Sequence, residues 1–146
     1  MTTMNTKQEL PILIVEDSDE DFDTALRALA GSGWKHEVNR ASDGDECLEL
    51  LRGNKTLPSF ILLDLSMPGM GGRELLKELK SNPELRQVPI VIFSTSSNPK
   101  DWLYCYDTGA SAYHYKPVNF LHHLELLRSI FNYWLKDVVL PGSQSC

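Results

Sequence analysis

The chain has 146 residues, with 14 Lys and Arg against 20 Asp and Glu, a net charge of −6. That excess of acid works against non-specific attraction to a nucleic-acid backbone, and no basic run offsets it. A composition of 42% hydrophobic and 23% charged residues excludes a disordered chain and fits one globular domain with its own core.

Three cysteines, Cys47, Cys105 and Cys146, are odd in number and widely spaced, which suggests neither a disulfide framework nor a metal knuckle. A reducing cytoplasm suits them. Residues 1–9 are polar, with no signal-peptide core, and no apolar run approaches the roughly 20 residues of a membrane span. The expected organisation is a flexible tail over 1–9, a domain over 10–137 and a second tail over 138–146.

Ile12–Val15 reads as a buried strand that stops at Glu16-Asp17-Ser18-Asp19. Phe22, Ala25, Leu26 and Leu29 recur at helical spacing until Gly31-Ser32-Gly33 closes the segment. His36–Ala41 is the second strand and Asp45–Arg52 a short helix. Phe60–Leu63 is a third strand, ending at Asp64 and followed by the loop Ser66-Met67-Pro68-Gly69-Met70-Gly71-Gly72. Arg73–Lys80 is helical with Leu75, Leu76 and Leu79 on one face. Ile90–Phe93 is a strand ending at Ser94-Thr95-Ser96-Ser97, and a helix runs from Pro99, a residue suited to a first turn, to Asp107. Ala112–Tyr115 is a last strand before Lys116-Pro117, and Phe120–Lys136 the longest and most apolar helix.

Five strands alternating with five helices predict right-handed β-α-β units, and so an α/β doubly wound parallel sheet in a single domain. The strands are continuously apolar rather than alternating, as a sheet covered on both faces requires. Ligands of such sheets bind beyond the carboxyl ends of the strands. Those ends carry Glu16 and Asp17, Asp64, Thr95, and Lys116.

Packed carboxylates repel one another unless a cation holds them ionised, and an oxygen-rich cluster suits Mg²⁺. With such an ion present a carboxylate can attack a phosphoryl group, and Asp64 is the candidate nucleophile. Lys116 and Thr95 would then donate to the phosphoryl oxygens. Each residue alone has a plainer reading. The acidic run Glu16–Asp23 suits a helix N-terminus, Thr95-Ser96-Ser97 an N-cap, and Lys116 a solvated charge.

From Ile12 to about Leu135 the chain resembles the CheY-like response-regulator receiver family. The resemblance rests on Val15-Glu16-Asp17-Ser18, Leu62-Leu63-Asp64-Leu65-Ser66-Met67-Pro68-Gly69-Met70-Gly71-Gly72, Phe93-Ser94-Thr95-Ser96 and Tyr115-Lys116-Pro117. It implies a flavodoxin-like fold and phosphorylation of Asp64 by a histidine kinase. The metal ligands it implies are Asp17 directly, Glu16 through water, Asp64, and the backbone carbonyl of Ser66. Thr95, Lys116 and Tyr113 match the switch hydroxyl, the phosphate-binding lysine and the switch aromatic, and the Lys116-Pro117 bond matches one that is cis in the family.

The Glu-Asp pair, the Ser-Ser-Asn-Pro run after Thr95 and the ending Tyr133-Trp134-Leu135 further resemble the small response regulators that partner cyanobacterial phytochromes. That implies a bilin-containing, light-regulated kinase upstream, and a protein that signals by protein–protein contact.

The last helix is apolar over more than one stripe, which points to burial on two sides or to a partner. Phe120, Leu124, Phe131, Trp134 and Leu135 are the candidate anchors of a homodimer through the fourth helix, fifth strand and fifth helix. Two rival functions fit the residues worse. A flavin or nucleotide site would need a Ser/Thr/Gly-rich loop where Glu16-Asp17-Ser18-Asp19 repels phosphate, and an Asp-based phosphatase would want an acid where Ser66 stands. The remaining alternative is a receiver-shaped interaction module that is never phosphorylated.

Overall fold

A computed structural model describes residues 10–33, 35–53, 56–67 and 69–141, with backbone only at Ser32. Residues 1–9, Pro68 of the loop motif, and 142–146 with Cys146 lie outside the described residues. Five strands alternate with five helices in chain order: β1 Ile12–Val15, α1 Asp19–Ser32, β2 Val38–Ala41, α2 Gly44–Gly53, β3 Ile61–Leu63, α3 Gly72–Ser81, β4 Ile90–Ser94, α4 Pro99–Thr108, β5 Ala112–Tyr115 and α5 Phe120–Asn132. All strand pairings are parallel, in the order β2-β1-β3-β4-β5.

The alternation of side chains along each strand divides the apolar residues between two cores. Leu13, Val15, Ile61, Leu63, Ile90 and Ile92 face α2, α3 and α4, whereas Ile12, Ile14, Leu62, Val91 and Phe93 face α1 and α5. Both faces of the central strands are therefore dry, which is why their sequences read as unbroken apolar runs. The chain reverses its direction of travel across the sheet between β1 and β3, and Glu16, Asp17 and Asp64 leave the sheet on either side of that point.

Side chains start three helices where the sequence changes from extended to helical backbone. Ser18 accepts from the Asp21 N–H at 3.1 Å, Asn98 from the Lys100 N–H at 3.0 Å, and Asn119 from the His122 N–H at 3.1 Å. Pro99 occupies the first turn of α4, where its missing N–H costs nothing.

The structure departs from the sequence expectations in three places. The second strand begins at Val38 rather than His36. The last helix ends at Asn132 and continues as a π-helical turn over Tyr133–Asp137, closed by the Val138 N–H donating to the Tyr133 carbonyl at 3.0 Å. Beyond it Leu140, assigned to the tail, is buried. The Lys116–Pro117 bond is the third departure: no cis peptide occurs among the described residues. Trans is the lower-energy isomer even before proline. Here the Lys116 N–H continues the β5–β4 pairing by donating to the Ser94 carbonyl at 2.8 Å.

Candidate functional site

Asp64 follows β3 directly and is buried, its N–H donating to the Val15 carbonyl at 3.1 Å and so locking it beside the end of β1. The loop after it turns back at once. Its Ser66 N–H donates to Asp64 Oδ1 at 3.2 Å, and Gly72 N–H donates to the Leu65 carbonyl at 3.1 Å. Gly72 is required there, because a Cβ at this position would stand 2.5 Å from the Asp64 carbonyl oxygen and 2.6 Å from Leu65 Cα. Gly69, at φ +66, supplies the left-handed residue of the same loop.

Glu16 is buried at the end of β1. Its N–H donates to the Ala41 carbonyl at 2.9 Å, and its Oε2 accepts from the Ser18 N–H at 3.0 Å. Burial, with Asp64 close by, pushes the Glu16 carboxyl up to about 7, against the hydrogen bond from Lys116 that lowers it. Asp17 is exposed. Carboxylate oxygens of Glu16, Asp17 and Asp64 all lie within 4.8 Å of one another.

Lys116 enters this acidic cluster from β5, almost fully shielded from solvent. Its Nζ donates to Glu16 Oε1 at 2.8 Å, to Asp21 Oδ2 at 2.8 Å and to Asp64 Oδ2 at 3.3 Å. All three ammonium protons are thereby engaged. Burial alone would lower the lysine, but the hydrogen bonds it donates to Asp21 and Glu16 and the charge of Asp64 hold it above its ordinary value. The helix N-terminus reading and the site reading of the acidic run divide between neighbouring residues. Asp19 and Glu20 are exposed in the first turn of α1, as a helix dipole favours, whereas Asp21 turns into the site.

Thr95 is exposed after β4 and lines a cleft of about 380 Å³ together with Lys116, Asp21, Val118, Phe120 and His123. Tyr113 is half-buried against the core of the α4 side, and its hydroxyl donates to the Ser96 carbonyl at 2.9 Å. The strand ends thus bring Glu16, Asp17, Asp64 and Lys116 together, with Thr95 across the cleft. Asp21 was missed as a member. Its spacing from Lys116 is 95 residues, and only the neighbouring acids hinted at it.

The surface anchors expected on the last helix divide differently. Phe131 and Leu135 are fully buried, and Phe131 and Trp134 both pack on the Phe60 ring with centroids 6.1 Å away. The apolar area of Phe131 and Leu135 is used in closing the core, so neither of these two is a surface anchor, whereas Trp134 is half-buried. Leu124 is half-buried against the same core, and Phe120 alone of the five stays well exposed. Other exposed apolar residues on this side are Leu103 and Tyr106 of α4, Tyr115 of β5, and Leu121.

A buried carboxylate, two flanking acids and a shared lysine at the strand ends of a parallel sheet are the arrangement of the phosphoacceptor class of signalling domain. Residues 12–128 match the model of the response regulator receiver domain, and the chain belongs to that family. It is 34% identical over 137 residues to the response regulator Rcp1 of Synechocystis sp., covering 90% of this chain and 93% of that protein. Among solved structures it is similar to the phosphorylated cyanobacterial phytochrome response regulator RcpA, with a TM-score of 0.87, 37% identity and coverage of 91% and 99% of the two chains. The Mn²⁺-bound form of Rcp1 superposes with a TM-score of 0.86 and 34% identity, covering 90% of this chain and 99% of its own. The chain is a response-regulator receiver related to the phytochrome response regulators.

The donor set suits a divalent cation. Three carboxylates whose oxygens lie within 4.8 Å of one another, one of them solvent-facing, form an all-oxygen cluster of the kind hard cations take. Among the described residues, no helix is long and apolar enough to cross a membrane.

Proposed function

We propose that Asp64 accepts a phosphoryl group from a phosphohistidine of a bilin-containing, phytochrome-type histidine kinase, in the cytoplasm. An Asp64 carboxylate oxygen attacks phosphorus, the P–N bond breaks, and the histidine nitrogen leaves with a proton from solvent. The observation that carries this reading is the seat of Asp64, buried yet 3.3 Å from Lys116 Nζ and grouped with Glu16 and Asp17. The likeness to Rcp1 and RcpA supports the choice of kinase.

Glu16, Asp17, Asp64 and the Ser66 carbonyl would hold Mg²⁺, which when bound neutralises charge on the entering phosphoryl oxygens. Lys116 gives one of its N–H groups to the phosphoryl group, and Thr95 donates its hydroxyl from across the cleft. Tyr113 reports the change through its bond to Ser96. The signal leaves by protein–protein contact, and the exposed apolar residues of α4, β5 and α5, Phe120 among them, support a homodimer through that face.

Intact-mass measurement after incubation with acetyl phosphate and Mg²⁺ tests the reading. A single phosphoryl adduct, absent in Asp64→Asn and in EDTA, is the expected result. No adduct on the native chain would leave a phosphorylation-independent interaction module. Sedimentation with and without phosphorylation tests the dimer.

A further inference from the structure

Ser96, directly after Thr95, is held from two sides. Its carbonyl accepts the Tyr113 hydroxyl at 2.9 Å, and its own hydroxyl donates to Asp101 Oδ2 at 2.5 Å. The other Asp101 oxygen accepts from Arg73 Nη1 at 3.0 Å. Arg73 follows Gly72 on α3, its guanidinium lies 4.3 Å over the Tyr104 ring of α4, and the Tyr104 hydroxyl donates back to the Arg73 carbonyl at 3.3 Å. A chain of polar contacts thus runs from the first turn of α3, through the first turn of α4, to the residue beside Thr95.

Helix α4 also grips Tyr113 at its other end, where the Tyr113 N–H donates to the Tyr106 hydroxyl at 3.0 Å. Tyr113 is therefore attached to α4 through its own backbone and, by way of Ser96 and Asp101, through its hydroxyl. Two further bonds hold the loop: the Asn98 N–H donates to Ser96 Oγ at 3.2 Å, and the Ser96 N–H donates to Ser94 Oγ at 3.1 Å.

We infer that Arg73, Asp101 and Ser96 form a clamp of positioning residues that fixes the β4–α4 loop, and with it Thr95 and Tyr113, before Asp64 is modified. None of the three touches the reacting atoms. The clamp lowers the reorganisation needed when Thr95 meets the phosphoryl group, so its contribution falls on the rate of modification and not on binding of the donor. This inference rests on Asp64 being the phosphoacceptor.

The test measures Asp64 modification over a range of acetyl phosphate concentrations in Mg²⁺, for the native chain and for Ser96→Ala, Asp101→Ala, their double variant and Asp101→Asn. Loss of one such hydrogen bond is expected to slow the maximal rate by about two- to tenfold, with the half-saturating donor concentration unchanged. The double variant is expected to be no slower than the slower single, because both changes open the same link. Asp101→Asn, which still accepts from Ser96, recovers part of the rate. Unchanged rates in both single variants, or slowing that multiplies in the double, would overturn the clamp. Hydrogen exchange at the Ser96 and Asn98 amides is read alongside and is expected to quicken in both single variants. If the native chain takes no phosphoryl group, the receiver chemistry fails, and the clamp then stands or falls on that exchange.

Discussion

Asp21 Oδ2 and Lys116 Nζ meet at 2.8 Å, joining α1 to the end of β5 across the acidic cluster. Asp21 is not one of the three carboxylates that lie within 4.8 Å of one another, so under the proposed reading it would compete for the lysine without holding the cation. Asp21→Asn removes that charge and loosens one of the lysine's three bonds. Modification of Asp64 by acetyl phosphate is expected to speed up by about two- to tenfold. Timed intact-mass spectra check this, and a slower variant would mean that Asp21 positions the lysine rather than detaining it.

Gly72 has no room for a side chain, since its Cβ would meet the backbone of Asp64 and Leu65. Gly72→Ala has to push that backbone away, at a cost of about 1–3 kcal/mol in unfolding free energy. The same displacement moves Asp64, so phosphoryl uptake is expected to fall along with the urea midpoint. Gly53→Ala, where nothing stands within 4 Å, is the control and should leave uptake intact.

His123 is buried on α5 with its ring edge-on to Phe93 at 5.1 Å, and its Nε2 is enclosed without a hydrogen-bond partner. Burial lowers this imidazole below its ordinary 6.5, with Asp21 opposing the shift and Lys116 adding to it. His114 is lowered by burial as well. A base depressed in the folded state is neutral there, while the unfolded chain takes up a proton below 6.5. Its contribution to stability is therefore whole above 6.5 and is lost as pH falls through the folded value. His123→Phe is expected to flatten the loss of urea midpoint between pH 7.5 and 5.5. A slope identical to that of the native chain would remove His123 from the account.

Phe131 and Phe120 sit eleven positions apart on one helix and have opposite surroundings, the first fully enclosed and the second 48% exposed. Phe131→Ala should cost about 3–5 kcal/mol through the cavity it leaves. Phe120→Ala should cost under about 0.5 kcal/mol in the monomer and act instead on self-association, measured by sedimentation. Equal losses of stability would place Phe120 in the core.

Most of the architecture was legible because a sheet covered on both faces spells its central strands as apolar runs, and four of the five strands, all but β2, end at a polar residue whose chemistry the site uses. Glu16, Asp17, Asp64 and Lys116 could be gathered from sequence by that rule alone. Asp21 could not, since nothing local separates it from Asp19 and Glu20, which face solvent on the same helical turn. The contact of Arg73 with Asp101 spans 28 residues and depends on how α3 and α4 lie against each other. The last helix misled for a similar reason. Its apolar width reads equally as an interface or as a helix held on two sides, and Phe60, packed under Phe131 and Trp134, accounts for part of that width while Phe120 and Leu121 stay exposed.

Strand β5 is the last in the sheet, and a last strand normally offers its outward amides as a template on which another strand can add. Here the outward N–H of Tyr113 is already taken by the Tyr106 hydroxyl. A visiting strand would have to displace a side chain of α4 before it could extend the sheet. The tyrosine therefore guards this border against edge-to-edge aggregation, and leaves any partner on this side to be recognised by side chains rather than by shared backbone.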